Sequence, residues 1–259
     1  MPSTALGHFN EDLDRARAIV NLAQPMPVAT AEQSLLRSDL LRSGWMFAVG
    51  ALDAYFCDAY TDVIAACLIA KSNQGAVSTP SFLDEIKIPV SAVIESYNLR
   101  DNWKWRMAAR RMMRHDHLYD LSKIQKLFNK FCRKDEGFYK SNLMDTWLQR
   151  TGVTSRLMGV QRAAYLAMTP ADKRKQQGDS RDAMLVRMKT IVQRRHDCIH
   201  NCDRPSNSPQ TLDRPGTVRN VIKDIKFVVH GCDSHINSEF KVFLSGLGFS
   251  AATIQAVGY

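Results

Sequence analysis

Three residues close together in the chain, Arg195, His196 and His200, have the types and the spacing of an acid–base site. A guanidinium carries a permanent charge and can form paired hydrogen bonds to phosphate oxygens. A histidine titrates close enough to neutral pH to act as a general base or acid. On a helix, residues four apart such as His196 and His200 lie on the same flank. The three form a cluster able to hold a phosphate and move protons, and this chemistry needs no metal.

The segment that carries them, 181–202, is predicted to be a helix whose apolar pattern Arg195 interrupts. Its apolar stripe consists of Met184, Met188, Ile191, Val192 and Ile199. At about 100° per residue, Arg195 lies about 20° from the centre line of that stripe, whereas Arg194 points away towards water. A guanidinium on an apolar face indicates a cleft, a partner or a bound anion. The alternative is a structural arginine that pairs with a carboxylate such as Asp53.

The rest of the chain is dominated by helical periodicity, which predicts an all-α helical bundle. The sequence has neither clean strand alternation nor an Asn-Gly or Asp-Gly hairpin turn. The expected connections are 72–90, the polar segment 169–180 and the proline-rich segment 203–215. The expected helices are about 9–23, 31–71, 91–115, 120–133, further ones within 141–168, then 181–202, 217–230 with Gly231 at its C-cap, and a short one within 235–247.

The charge balance is basic, which favours a polyanionic partner. Among 259 residues, Lys plus Arg number 35 and Asp plus Glu number 26, for a formal net charge of +9. Such a surplus suits nucleic acid or an anionic surface. The most apolar stretch, 45–70, contains Asp53, Asp58 and Asp62, and three carboxylates make it a core helix rather than a membrane span.

The N-terminal residues and the cysteines indicate the cellular compartment in which the protein is expected. The start, MPSTALGHFNEDLDR, has no basic segment leading into an apolar one, so no signal peptide is expected. Six cysteines occur without the spacing of a disulfide framework. We therefore expect a soluble, cytoplasmic protein with reduced cysteines.

The string RRHDCIHN at residues 194–201 resembles the signature of the HEPN superfamily, many of whose members are metal-independent RNases. That signature has an arginine, then a polar residue, then a histidine a few positions later, late in a helix. Arg195, His196 and His200 match it in type, order and spacing, and Asn201 follows as is typical of the family. The other Arg-x4-His string, Arg110 to His115, has an arginine in the polar position and does not match.

A second similarity is an acidic residue on an earlier long helix, which the segment GALDAYFCDAY supplies as Asp53. On the helical wheel Asp53 lies at the edge of the apolar stripe, where a half-buried carboxylate would pair with Arg195 or His196. Asp58 and Asp62 lie further round and are expected to be solvated. The long insertion between these two helices and the segment 122–131 are similar to the RiboL-PSP branch of the superfamily.

The resemblance implies one all-α HEPN-like domain over residues 1–259, with 72–180 as a helical insertion. It implies an endoribonuclease without cofactors, whose homodimer places two motifs in one cleft as a composite active site. A ribose 2′-OH would attack the adjacent phosphate and leave 2′,3′-cyclic phosphate and 5′-OH ends. His200 would be the base or acid, Arg195 would stabilise the phosphorane, and His196 and Asp53 would orient Arg195. Toxins and phage-defence effectors are common in the family, so a neutralising or regulatory protein partner is expected.

A basic, aromatic segment at 99–114 is a candidate surface for RNA. Basic side chains interleaved with Trp103 and Trp105 suit phosphate contacts and base stacking. The alternative is an amphipathic helix with a solvated basic face and its tryptophans in the core. The predicted RNA-binding residues are Lys104, Arg106, Arg110, Arg111, Arg114 and, beside the motif, Asn201.

Two other functions compete with the RNase hypothesis. One is a non-catalytic HEPN-like module that binds RNA or nucleotides, or that only dimerises. The other is a zinc protein, suggested by His196, Cys198, His200 and Cys202. Cys198 projects about 160° from His196 on the wheel, and no second pair completes a tetrahedral site, so no metal is predicted. His115 and His117, which flank the basic segment, are expected at the surface.

Overall fold

The structure, a computed structural model, describes residues 4–83, 86, 90–95, 101–113, 117–200, 203 and 212–259. Helices make up all the regular structure within these ranges, and no strand occurs there. The prediction of an all-α fold is confirmed.

The α-helices are numbered in chain order. They are α1 (Thr4–Ala23), α2 (Ala31–Asn73), α3 (Val90–Glu95), α4 (Asp101–Met112), α5 (Leu121–Phe128), α6 (Ser141–Leu148), α7 (Ser155–Met158), α8 (Arg162–Leu166), α9 (Pro170–His200), α10 (Pro215–Gly246) and α11 (Ala251–Ala256). Short 3-10 turns occur at Ser81–Leu83 and Asn129–Phe131. Of the helix expected at 91–115, the structure describes α3 and α4, and residues 96–100 and 114–115 lie outside the described ranges.

Helix α2 is the long helix that the periodicity predicts, and it lies at the centre of the molecule. Its N-terminus is capped by Thr30, whose hydroxyl accepts a hydrogen bond from the Gln33 backbone N–H at 3.2 Å. In return the Gln33 side chain accepts from the Ala29 N–H at 3.1 Å. From Leu41 to Ala70 the helix is buried on several faces, because α1, α4, α9 and α10 all pack against it. The helices α4 and α9, which carry described candidate site residues, are thus positioned by their packing against α2.

Helix α9 begins 11 residues earlier than its predicted start at residue 181. The segment 169–180, expected to be a connection because it is polar, forms its first turns, so that expectation is wrong. Proline is tolerated in a first turn, and Lys, Arg and Gln are strong helix formers. The Thr169 hydroxyl caps the helix by accepting from the Asp172 N–H at 3.3 Å. Gln177 and Ser180 are buried, so this polar stretch is also held by packing.

Helix α10 runs without interruption to Gly246, so Gly231 is not the C-cap that its position suggested. The predicted helices 217–230 and 235–247 are one. A Cβ atom on Gly231 would lie 2.6 Å from the Trp147 ring, inside van der Waals contact. The glycine therefore serves close packing between α10 and α6.

A single cluster of buried apolar side chains extends from Ala5 in α1 to Ile254 in α11. It includes Phe138, Trp147 and Tyr165, so part of the segment 72–180 packs into the same core as α2 and α10. The interpretation of 72–180 as an insertion stays a prediction.

Buried carboxylates of α10 hold that segment in place. Asp224 is almost fully buried and accepts from Arg156 at 2.6 Å and from Arg187 at 3.0 Å. Glu239 accepts two hydrogen bonds from the Arg133 guanidinium, at 3.0 Å and 2.6 Å. Because a buried carboxylate is costly without a cationic partner, these pairs specify how the middle segment and α9 meet α10.

In the described ranges, no helix combines the length and the apolar character that crossing a membrane requires.

The Gly231 contact predicts opposite outcomes for two glycine-to-alanine exchanges. We expect Gly231→Ala to lower the free energy of unfolding by about 1–3 kcal/mol, because the new methyl group overlaps Trp147. Gly178→Ala, in the interior of α9 with no atom within 4 Å of the new Cβ, should raise it by up to about 1 kcal/mol through helix propensity. Urea unfolding followed by circular dichroism measures both. A stabilised Gly231→Ala protein would contradict the packing role.

Candidate functional site

The histidines of the motif lie side by side on the last turns of α9. The ring centroids of His196 and His200 are 4.3 Å apart, with 46° between the ring planes. Both side chains are exposed. The spacing of four residues thus produces the adjacency expected on one flank of a helix.

Arg195 lies where the apolar stripe of α9 leaves the core. Met184, Met188 and Ile191 are buried, whereas Ile199 is 47% exposed. Arg195 between them is half-buried, and its guanidinium carbon lies 5.5 Å from the centre of the Tyr119 ring. A cation over an aromatic face is stabilised by the ring quadrupole while its outer N–H groups stay available. The Tyr119 ring therefore holds the Arg195 guanidinium at the edge of the buried core.

Asp53 does not contact the motif directly. In the described part of the chain its carboxylate pairs with the His117 Nδ1 atom at 3.0 Å and accepts from the Leu118 backbone N–H. The expected pairing with Arg195 or His196 is absent there. His117 is 62% exposed, as a surface histidine should be, but it also anchors the segment 117–120 to α2.

The segment 117–120 links Asp53 to Arg195. The His117 and Tyr119 rings stack at 5.8 Å, and Tyr119 in turn faces Arg195. Asp120 then caps α5 by accepting from the Ser122 N–H at 2.8 Å. Asp53 is thus connected to Arg195 through the side chains of His117 and Tyr119, and not through a direct salt bridge.

Cys57 also touches Asp53, with its sulfur 3.7 Å from the carboxylate. Burial, and next the negative charge of Asp53, raise the pKa of this thiol to about 12. The sulfur is therefore a neutral thiol at physiological pH. It lacks the thiolate character of a nucleophile.

Arg194 does not point into water as the wheel suggested; its side chain is only 18% exposed. Its Nη2 atom lies 2.9 Å from the carboxylate of Asp203, which also accepts from the Arg42 Nε atom at 2.8 Å. Arg194 and Arg195 do face different directions, as the helical wheel predicts. Helix α2 covers the side on which Arg194 lies, and the sequence pattern does not reveal this.

Trp45 and Asp203 fasten the end of α9 further. The Trp45 indole N–H donates to the Ile191 carbonyl at 2.9 Å, and the Arg194 guanidinium lies 5.3 Å from its ring centre. Asp203 has a left-handed φ of 57°, and its backbone N–H donates to the Asp197 carbonyl at 3.0 Å. We call Arg42, Trp45, Arg194 and Asp203 the α9 anchor. It fixes the two turns that carry Arg195, His196 and His200.

Two arginines of α4 are paired with carboxylates of α2. Arg106 lies 2.8 Å from Asp62, and Arg110 lies 3.8 Å from Asp58. Asp58 and Asp62 are largely buried, so the expectation that they are solvated is wrong. Arg111 is half-buried. The candidate RNA contacts Arg106 and Arg110 thus belong to a mixed-charge surface.

Other predicted residues lie outside what the structure describes. Asn201 and Arg114 fall outside the described ranges, as do Cys202 and His115 of the zinc and surface interpretations. Lys104 lies in α4, but its side chain and that of Trp103 are outside the described part. The Trp105 side chain is half-buried.

Among the described residues, no group of three or more His, Cys, Asp or Glu side chains is arranged to hold a metal ion. Cys198, the candidate zinc ligand on α9, is half-buried, and burial raises the pKa of its thiol to about 11.

Comparison of the chain with protein-family models, curated proteins and solved structures found no match. The similarity to the HEPN superfamily therefore rests on the residues quoted above.

Sequence reasoning missed Tyr119 and Asp203 and treated His117 only as a surface residue. A signal existed for His117 and Tyr119, because these two aromatic residues directly precede the helix cap Asp120. Asp203 gave a weaker signal, as a single acid after the motif in a proline-rich segment.

The anchor predicts a large stability loss on removal of its carboxylate. We expect Asp203→Ala to lower the free energy of unfolding by about 3 kcal/mol, because two guanidiniums lose their shared buried partner. Asp213→Ala, an exposed acid on the same connection, is the matched control and should change stability by less than about 0.5 kcal/mol. Chemical unfolding measures both, and equal effects would contradict the anchor.

Asp62 predicts a pH-dependent contribution to stability. Burial raises the pKa of its carboxyl from the usual value of 3.8 to about 6, against the opposing effect of Arg106. An acid with a raised folded-state pKa destabilises the folded protein as pH rises from about 4 to 6. The stability of Asp62→Asn relative to wild type should therefore improve by about 2–3 kcal/mol between pH 4 and pH 7. Urea unfolding at both pH values measures the difference, with exposed Asp135→Asn as the charge control. A stability difference between Asp62→Asn and wild type that does not change with pH would contradict the raised pKa of Asp62.

Proposed function

We propose that the protein is a metal-independent endoribonuclease. The observation that carries the proposal is the pair of exposed imidazoles of His196 and His200 beside the half-buried guanidinium of Arg195. Phosphodiester cleavage needs a proton acceptor, a proton donor and a cation for the developing charge. These residues supply one of each.

The proposed reaction begins when neutral His200 accepts the proton of a ribose 2′-OH. The 2′-oxygen forms a bond to the adjacent phosphorus, and the bond from phosphorus to the 5′-oxygen breaks. Protonated His196 gives its proton to the departing 5′-oxygen. The products are a 2′,3′-cyclic phosphate and a 5′-OH, and Arg195 stabilises the charge on the phosphorane.

Asp53 and the α9 anchor have supporting roles in this proposal. Asp53 orients Arg195 through His117 and Tyr119, whereas the anchor fixes the same helix turn through Arg194. Small displacements of a catalytic group reduce rates strongly, so rigidity on both sides favours catalysis.

A homodimer completes the proposed site. Ile199 is exposed between Arg195 and His200, and in the proposed dimer the partner subunit would cover it. Two copies that pair over this end would place two motifs in one cleft. A role as a toxin or phage-defence effector, with a neutralising protein partner, extends the same proposal.

The second candidate function is a module that binds RNA without cleaving it. The net charge of +9 and the exposed side chain of Arg110 on α4 favour this hypothesis, since both attract phosphates whether or not a reaction follows.

RNA cleavage by the purified full-length protein in EDTA tests the proposal. We expect wild type to cleave total RNA or tRNA and leave cyclic-phosphate ends. His200→Ala should reduce the rate by about 10²- to 10⁴-fold, as the loss of a general acid or base does. His8→Ala, an exposed histidine on α1, is the matched control and should cleave like wild type.

Each other result has a defined meaning. A folded, dimeric protein that cleaves no RNA favours the binding module. Equal cleavage by wild type and His200→Ala would show that the site is elsewhere.

A further inference from the structure

An exposed polar stripe on α9 extends the motif towards the middle of the helix. Lys189, Gln193, His196 and His200 follow each other at spacings of four, three and four residues, so they share one face. All four side chains are exposed. At about 1.5 Å per residue, Lys189 lies about 10 Å along the helix axis from His196, a distance that a short RNA segment spans.

A cavity of about 390 Å³ opens beside this stripe, between α9 and the start of α5. Leu121, Leu185 and Val192 form its apolar floor. The floor residues are buried or half-buried, whereas Lys189 and Gln193 at the rim are exposed. An apolar floor with a few polar groups at the rim, in a cavity of this size, is typical of a small-ligand site.

The polar groups at the rim are available to a ligand. Lys189 forms no ion pair with any residue in the described ranges. The Gln193 amide nitrogen donates to Asp197 at 2.9 Å, which leaves its carbonyl oxygen as an acceptor. Tyr119 lines the same cavity and contacts Arg195, so the cavity adjoins the proposed reaction centre.

We propose that this cavity, the α9 subsite, binds one nucleotide of the substrate RNA next to the phosphate held by Arg195. The inference rests on the proposed function and extends it to substrate recognition. The base lies on the apolar floor, Lys189 pairs with a phosphate oxygen, and the Gln193 carbonyl accepts from a base N–H group. Contact with a base through its edge and its face is how proteins read single-stranded RNA.

Titration of the full-length protein with adenosine, guanosine, cytidine and uridine 5′-monophosphates, followed by calorimetry, tests the subsite. These probes have no bond for the site to cleave, so binding is measured apart from catalysis. We expect at least one nucleotide to bind, and to bind about tenfold more weakly to Lys189→Ala, which loses a charge-assisted hydrogen bond. Lys175→Ala, an exposed lysine earlier on α9, is the matched control and should bind like wild type.

A second variant blocks the cavity. Val186 lines it and is 66% exposed, so Val186→Trp should fill the space without disturbing the core. We expect this variant to lose nucleotide binding. Retained binding in both Val186→Trp and Lys189→Ala overturns the subsite. So does wild-type affinity for inorganic phosphate equal to that for the nucleotides, since the base would then contribute nothing, or an absence of nucleotide binding.

Different experimental results would reject the α9 subsite and the RNase activity. Nucleotide binding that depends on Lys189, in a protein that cleaves no RNA, would leave the subsite standing and reject the nuclease. RNA cleavage with identical KM and kcat in wild type, Lys189→Ala and Val186→Trp would do the reverse. A higher KM with little change in kcat for Lys189→Ala is the result expected if both hold.

Discussion

The carboxylate of Asp203, shared by Arg42 and Arg194, is the interaction on which the geometry of the motif depends. It is fully buried, and a charge removed from water persists only beside compensating charges. One guanidinium comes from α2 and the other from α9, so the pair holds the end of α9 against the central helix. Arg195, one residue further along, necessarily faces another way. Arg194 thus holds α9 against α2, whereas the adjacent Arg195 faces the candidate site.

A second attachment to α2 involves the face of α9 that carries Arg195. Asp53 accepts from the backbone of Leu118 and pairs with His117, and this places Tyr119 against Arg195. The segment 117–120 then enters α5 through its cap, Asp120. The arginine is therefore held between two connections that both start on α2. The cavity beside Tyr119 is lined by this segment, the start of α5 and α9.

The charges of the chain are more evenly mixed than the net value of +9 suggests. Several arginines pair with buried or half-buried carboxylates, among them Arg106 with Asp62 and Arg156 with Asp224. Such pairs specify how helices meet, and they reduce the positive potential that the paired arginines present to a polyanion. A count of basic residues therefore overstates the surface available to RNA, and the placement of each partner decides which residues remain.

The sequence by itself determined the helical class, the extent of α2 and the adjacency of His196 and His200, because these follow from local periodicity. It misplaced the start of α9 and the end of the helix before Gly231. Polarity and glycine are signals of chain breaks only where no neighbour buries the side chain or requires a close approach, as Trp147 does. Only the tertiary structure decided that Arg194 pairs with Asp203 and that Asp53 pairs with His117. Such pairings depend on which helix faces are covered by residues distant in the chain, and a helical wheel carries no information about the neighbour.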